Sequence, residues 1–227
     1  MSMVVRATIE YMKGAGCTTI GLETMPETAY NLGLYTKLGF QLGSLTLRMQ
    51  REIGAGPEGP GDAVDVIERP GDALLARIAE ISGGLEDGLD LSKEVALLRE
   101  HPIGACLTWR DGRDVLGFAL CYAFQETVGL YPPSDPHDLR IRLLAMDAGR
   151  CGPPELRAFL SACEGYARTR GRRTVTLPIY AGYDRSLHAL YELGYRVHDG
   201  FPSLVKLTFG EYRLPHPEGV LCYEWAG

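Results

Sequence analysis

Several things are scarce in this sequence, and each scarcity removes a class of protein. The six cysteines, at positions 17, 106, 121, 151, 163 and 222, form no C-x-x-C pair. Most lie in apolar surroundings. Structural zinc and a disulfide framework are therefore excluded, and buried, reduced thiols are expected. Long apolar runs are missing as well. The longest, Val115 to Phe124, is too short to span a bilayer and contains a glycine. The N-terminal stretch MSMVVRATIEYMKG carries Glu10 inside its apolar pattern and has no small-residue cleavage site, so it does not read as a signal peptide. A cytoplasmic protein with no membrane partner is expected.

Basic charge is in deficit: 23 Lys and Arg stand against 29 Asp and Glu, a net −6, with a pI near 5.4. A nucleic-acid binder carries the opposite footprint. The one dense basic cluster, Arg168, Arg170, Arg172 and Arg173, reads as a solvated helix end able to draw a small anion. No Ser-His-Asp, H-E-x-x-H or paired-carboxylate spacing stands out, and no metal is expected.

What the sequence does contain is a repeat. With 227 residues, 45% hydrophobic and 23% charged, the chain has room for one large domain or two small ones. Shifted by 155 positions, Ala7 falls on Ala162, Tyr11 on Tyr166, Gly16 on Gly171 and Thr19 on Thr174. Leu22 then meets Leu177, Leu32 meets Leu187, Leu38 meets Leu193 and Gly39 meets Gly194. Each copy predicts helix, strand, helix, strand. Val4–Lys13 and Glu155–Arg168 have helical apolar spacing ended by Gly16 and Gly171. Thr18–Thr24 and Thr174–Ile179 are β-branched strand patterns. Helices over Thr28–Leu38 and Ser186–Leu193 follow, closed by Gly39 and Gly194. Final strands are expected at Leu45–Met49 and Leu204–Phe209.

More elements precede the second copy. A strand at Asp65–Glu68 and a helix at Asp72–Ser82 are expected. A hairpin of Gly104–Trp109 and Val115–Phe124 turns at Asp111-Gly112. Leu139–Met146 alternates, with Leu139, Ile141 and Leu143 against Arg140 and Arg142. The stretch between the two regions is rich in Gly and Pro, a linker composition.

The segment AYNLGLYTKLGF, following the strand TTIGLETM, resembles the last conserved motif of the GCN5-related N-acetyltransferases, the GNAT superfamily. RSLHALYELGY after RTVTLPI is a second version of it. The resemblance implies an α/β fold with a mixed sheet, acyl-CoA N-acyltransferase-like, as one complete unit plus a partial second copy. Residues 1–52 would be the C-terminal fragment of a first unit, 53–63 the linker, and 64–227 a second, degenerate unit. It also implies acetyl-CoA as co-substrate and an amine acceptor, either a small molecule or a peptide. In the family a splayed strand offers its backbone to the pantetheine arm, and a Gln/Arg-x-x-Gly-x-Gly/Ala loop holds the pyrophosphate at a helix N-terminus. A tyrosine protonates the leaving thiolate.

Carried over position by position, the proton donor would be Tyr35. In the second copy Leu190 matches that place, with Tyr191 one step round the helix. The coenzyme-binding residues would be Ala145, Met146, Asp147, Gly149, Arg150, Cys151 and Gly152. Here the loop departs from the pattern. Cys151 takes the Gln/Arg place, Pro154 and Leu156 replace the two glycines, and Pro153 and Pro154 have no N–H to offer. Pro153-Pro154-Glu155 also reads as an ordinary helix start. Met1 falls on Leu156, so the first copy's loop would lie upstream of Met1, and the first unit is expected to be truncated. Strand Thr18–Thr24 then lacks its neighbour. Residues 1–52 should dock on the second unit's sheet, or on another chain to give a homodimer, or else be poorly ordered.

Lesser candidates complete the reading. Gly54–Gly59 spells G-x-G-x-x-G but precedes Pro60 and no helix. Thr28 stands where many family members carry a coenzyme-contacting Asn. His188 faces the second copy's site, Asp184 reads as a helix cap, and Pro132–Asp138 forms a stiff loop of the kind that borders acceptor pockets. Two functions follow: an N-acetyltransferase that moves an acetyl group from acetyl-CoA to an amine, or a non-catalytic GNAT-like structural or ligand-sensing module.

Overall fold

The computed structural model describes residues 2–122, 137–199, 203–210 and 219–225. The expected loop at 132–136 and the end of the strand reaching Phe124 lie outside them. In chain order the elements are α1 (Ser2–Gly14), β1 (Thr19–Thr24), α2 (Ala29–Lys37), β2 (Gln41–Glu52), β3 (Val64–Ile67), α3 (Asp72–Leu85) and α4 (Ser92–Ala96). Next come β4 (Gly104–Asp111), β5 (Asp114–Tyr122), β6 (Asp138–Met146), α5 (Pro153–Thr169) and β7 (Thr174–Tyr180). Then follow α6 (Asp184–Glu192), β8 (Arg196–Val197), β9 (Leu204–Gly210) and β10 (Val220–Tyr223).

Elements in the two similar stretches start at equivalent places. β1 opens at Thr19 and β7 at Thr174, while α2 spans Ala29–Lys37 and α6 spans Asp184–Glu192. Both helices end because the next turn needs a left-handed residue. Gly39 (φ 96°) and Gly194 (φ 86°) supply it without the Cβ clash any other residue would meet.

The ten strands among the described residues form one sheet, with the main path β1-β9-β2-β7-β6-β5-β4-β3. The order is an exchange. β9, from the second stretch, pairs antiparallel with β1 of the first, Thr19 opposite Gly210. β2, from the first stretch, pairs antiparallel with β7 of the second, Thr174 opposite Glu52. Residues 1–52 thus dock on the rest of the chain through strand pairing. Gly210 fits beside β1 because it has no side chain: a Cβ there would meet the Thr18 carbonyl oxygen at 2.2 Å.

Helices cover both faces. One core contains Leu156, Phe159, Leu160 and Leu190 of α5 and α6. The other contains Ile78, Ile81, Leu91 and Val95 around α3 and α4. β5 alternates between them, Ala119 and Cys121 to the first, Phe118 and Leu120 to the second. The expected alternation along β6 needs correction. The register slips between Leu120/Leu143 and Cys121/Ile141, a bulge at Arg142. Leu143 therefore leaves the face of Leu139 and Ile141 and joins the opposite core.

The Gly/Pro-rich stretch 53–63 is tied down. Arg168 donates to the carbonyls of Gly54 (3.0 Å) and Pro57 (2.9 Å). Gly59 donates its amide to the Gly165 carbonyl at 3.1 Å. The contact is close enough that a Cβ on Gly165 would meet the Gly59 oxygen at 2.0 Å. The G-x-G-x-x-G match is thus an arginine-clamped crossing of α5.

Candidate functional site

Parallel strands that separate leave a wedge whose backbone groups need a partner. β6 and β7 run parallel and pair only over Asp138–Arg140 and Thr174–Thr176. Beyond Arg140 the wedge holds a third strand. β10 lies antiparallel along β6, Val220 opposite Met146, Leu221 opposite Ala145, Cys222 opposite Leu144 and Tyr223 opposite Leu143. It also packs on β7. The other edge of β6 pairs with β5, Gly117 opposite Met146. Ala145 and Met146 are therefore buried and flanked by strands on both sides.

The loop after β6 turns inward on itself. Asp147 accepts the Gly149 amide on Oδ1 (3.1 Å) and the Arg77 guanidinium on Oδ2 (2.8 Å). Its carbonyl accepts the amides of Arg150 (3.1 Å) and Cys151 (2.9 Å). The Gly152 amide donates to Glu155 Oε2 at 2.8 Å, which starts α5 as the Pro-Pro-Glu pattern predicts. All four amides from Gly149 to Gly152 are thereby spent within the protein. The Arg150 guanidinium reaches across to Asp111 (3.2 Å) and Asp114 (3.0 Å) at the β4–β5 turn. Cys151 is buried, and burial, with Glu155 and Asp147 adding, pushes its thiol up to about 11.

A coenzyme held as the family holds it needs a free strand edge and free loop amides. Between β6 and α5 the strand edge is covered and the amides of Gly149 to Gly152 are taken up. The residues of the second stretch do not fit acetyl-CoA in this place.

The two tyrosines part company. Tyr35 on α2 is half-buried, its ring edge-on to Phe40 at 5.7 Å, in a cluster with Ile9, Val205 and Leu207. Leu190, its counterpart, is fully buried, whereas Tyr191 turns outward, 46% exposed. Three strands, β9, β2 and β7, separate β1 from β6. Tyr35 is thus not brought to the 145–152 segment. Thr28 precedes α2 without a side-chain cap. Asp184 does not cap α6, since Tyr183 holds that place; it pairs instead with His188 at 3.3 Å on the surface.

Sequence reasoning missed a charged cluster on the α4 side of the sheet. Glu224, directly after β10 and 2% exposed, accepts from Arg48 of β2 (2.7 Å) and from Arg140 (2.5 Å) and Arg142 (3.2 Å) of β6. Arg142 also reaches Glu94 of α4 at 3.3 Å. Burial, with Arg48 and Arg142 close by, draws Arg140 below the usual arginine range. Next to this cluster Lys206 of β9 is buried beneath Trp225, 4.0 Å from the ring, and Tyr180, 4.6 Å away. Burial lowers its pKa, against the pull of Glu23 and Glu86. The alternating arginines of β6 were the available signal, but their partner lies 82 and 84 positions further on.

Five of the cysteines are buried as expected, and Cys17 is exposed. Among the described residues no three His, Cys, Asp or Glu side chains gather as a metal site. Among them, too, no helix is long and apolar enough to cross a membrane. A cavity of about 250 Å³ opens near Glu68, Arg99, Tyr166 and Arg170, the last from the basic cluster at the end of α5.

No family model and no curated protein matches the chain. Solved structures do. A candidate acetyltransferase of Pyrococcus horikoshii aligns with 99% of this chain and 65% of its own, at 17% identity and a TM-score of 0.62. A GCN5-related N-acetyltransferase of Kribbella flavida aligns with 91% of this chain and 46% of its own, at 18% identity and a TM-score of 0.58. A GNAT-family acetyltransferase of Colwellia psychrerythraea covers 83% and 65%, at 13% identity and a TM-score of 0.53. The chain spans less than two thirds of each of these proteins. It shares the mixed α/β fold of GNAT acetyltransferases.

Proposed function

We propose that this chain is a tandem GNAT protein serving N-acetyl transfer from acetyl-CoA to an amine, with its two copies unequal in role. On this reading the first copy carries the chemistry, with Tyr35 as proton donor, and the second is a structural half. One observation carries the division: β10 fills the wedge between β6 and β7. The outer edge of β1 supports the other side of it. β1 ends the sheet path, so that edge has no strand partner among the described residues. The same edge is where a second copy of this chain would add to form a homodimer.

Thiol release from acetyl-CoA over a panel of small and peptide amines tests the assignment. Tyr35→Phe should lower turnover ten-fold or more, the scale of a lost general acid, while Tyr191→Phe leaves it unchanged. The opposite pattern would overturn the roles. The closed wedge also supports a second reading, a non-catalytic GNAT-like module. That reading requires no thiol release with any amine and no calorimetric binding of acetyl-CoA by the folded chain.

A further inference from the structure

The three arginines around Glu224 form a built oxyanion site. Arg142 is 7% exposed, and Arg48 and Arg140 are held close to it. Their occupant is supplied by the chain's own C-terminal segment, as the carboxylate of Glu224. Guanidinium forks recognise two or more oxygens at fixed angles, so the pocket suits any compact oxyanion with that geometry.

The segment bearing Glu224 is short, and its Val220, Leu221 and Cys222 are buried beside β6 and β7. β10 pairs over four residues, whereas β1 pairs over six. Its other ties end on β6, β1 and α6. Arg142 donates to the Glu224 carbonyl at 3.2 Å, the Trp225 amide donates to Glu23 at 2.7 Å, and Ser186 donates to the Gly219 carbonyl at 3.3 Å. Trp225 packs over Gly21, where a Cβ would meet its ring at 2.4 Å. The segment is a strap seated in the wedge along β6, ending over β9 and β1, with Glu224 as its charged anchor.

We propose that the pocket of Arg48, Arg140 and Arg142 is a binding site for a small, multiply charged oxyanion, and that such a ligand displaces Glu224 and releases β10 from β6. Attraction and exchange both follow from the same chemistry. Three cations brought together out of water need anions; Glu94 meets Arg142 from α4, and an external anion with more charge competes with the tethered carboxylate of Glu224 for the rest. The inference does not rest on the acetyl-transfer reading, since it uses only the arginines and their occupant.

Cys222 is a built-in reporter. It is fully buried in β10, and burial pushes its thiol up to about 12, so it should resist alkylation while the strap is seated. Cys106, equally buried in β4, reports unfolding of the body. In the full chain, N-ethylmaleimide labelling followed by mass spectrometry should show Cys222 modified at least ten-fold faster in pyrophosphate or citrate than in sodium chloride of equal ionic strength. The gain should saturate, with Cys106 unchanged. Pyrophosphate acting alone would assign the site to phosphoryl groups, and citrate alone to carboxylates. Glu224→Gln should label quickly without added anion; should it fail to fold, Glu224→Asp, which keeps the charge, should need less anion than the native chain. Equal rates in all three salts, or Cys106 and Cys222 rising together, would overturn the proposal.

Discussion

The stretch from α1 to β2 and the stretch from α5 to β9 begin alike and finish in different surroundings. β1 and β7 start at equivalent threonines, yet β1 has one buried residue and β7 has six. α2 has no fully buried residue, while α6 buries Ser186, Ala189 and Leu190. The cause is position in the sheet. β7 lies between β2 on one side and β6 and β10 on the other; β1 ends the path with β9 alone. A shared local pattern gives the same elements, but their energetic weight depends on what lies beside them.

That contrast can be broken most sharply by matched substitutions. Leu177 in β7 is fully buried and Leu22, its counterpart in β1, is half-buried. Leu177→Ala should cost about 2–5 kcal/mol, and Leu22→Ala about 1 kcal/mol. Urea denaturation of the two variants checks this, and equal losses would mean that β1 is as enclosed as β7.

Thiols sharpen the comparison through pH. Burial raises Cys106 and Cys222 to about 12, from the 9.0 of an ordinary thiol, whereas Cys17 of the first stretch is exposed. Above pH 9 the unfolded chain loses these protons first and the folded chain keeps them. The contribution to stability is therefore complete below pH 9 and is lost as pH rises toward 12. The loss is about 1.4 kcal/mol per pH unit for each thiol. Denaturation midpoints at pH 8, 9 and 10 should fall over the last step, and less so in Cys106→Ala once referred to its own value at pH 8.

The smallest effect reverses the order of the two regions. Gly39→Ala and Gly194→Ala each force a Cβ into left-handed backbone, about 1–2 kcal/mol. At Gly39 the new Cβ also meets the Phe209 ring at 3.1 Å, while at Gly194 the nearest atom is 4.0 Å away. Melting curves should show Gly39→Ala as the worse of the pair.

Much of the secondary structure is legible in the residues themselves. Asp111-Gly112 marks the β4–β5 turn because Gly112 takes φ 59°, and the helix-ending glycines take the left-handed region for the same reason. Pro153-Pro154-Glu155 opens α5 through a contact three residues long. Less legible are α4, β10 and the full length of β2, expected only over Leu45–Met49. Nothing local distinguishes VLCY as a strand until β6 offers an edge. The candidate site was least legible of all. The motif comparison located the loop after β6, but could not show that Asp147 and Glu155 take up its amides, or that Glu224 sits on three arginines.

What the chain determines by itself is its list of helices, turns and most strands, because capping, φ preference and apolar period act over a few residues. The tertiary structure alone decides that β9 and β2 trade neighbours and that β10 occupies the wedge. Those choices depend on which unsatisfied backbone edge meets which strand, and residues 143–146 and 220–223 meet only once the sheet has formed.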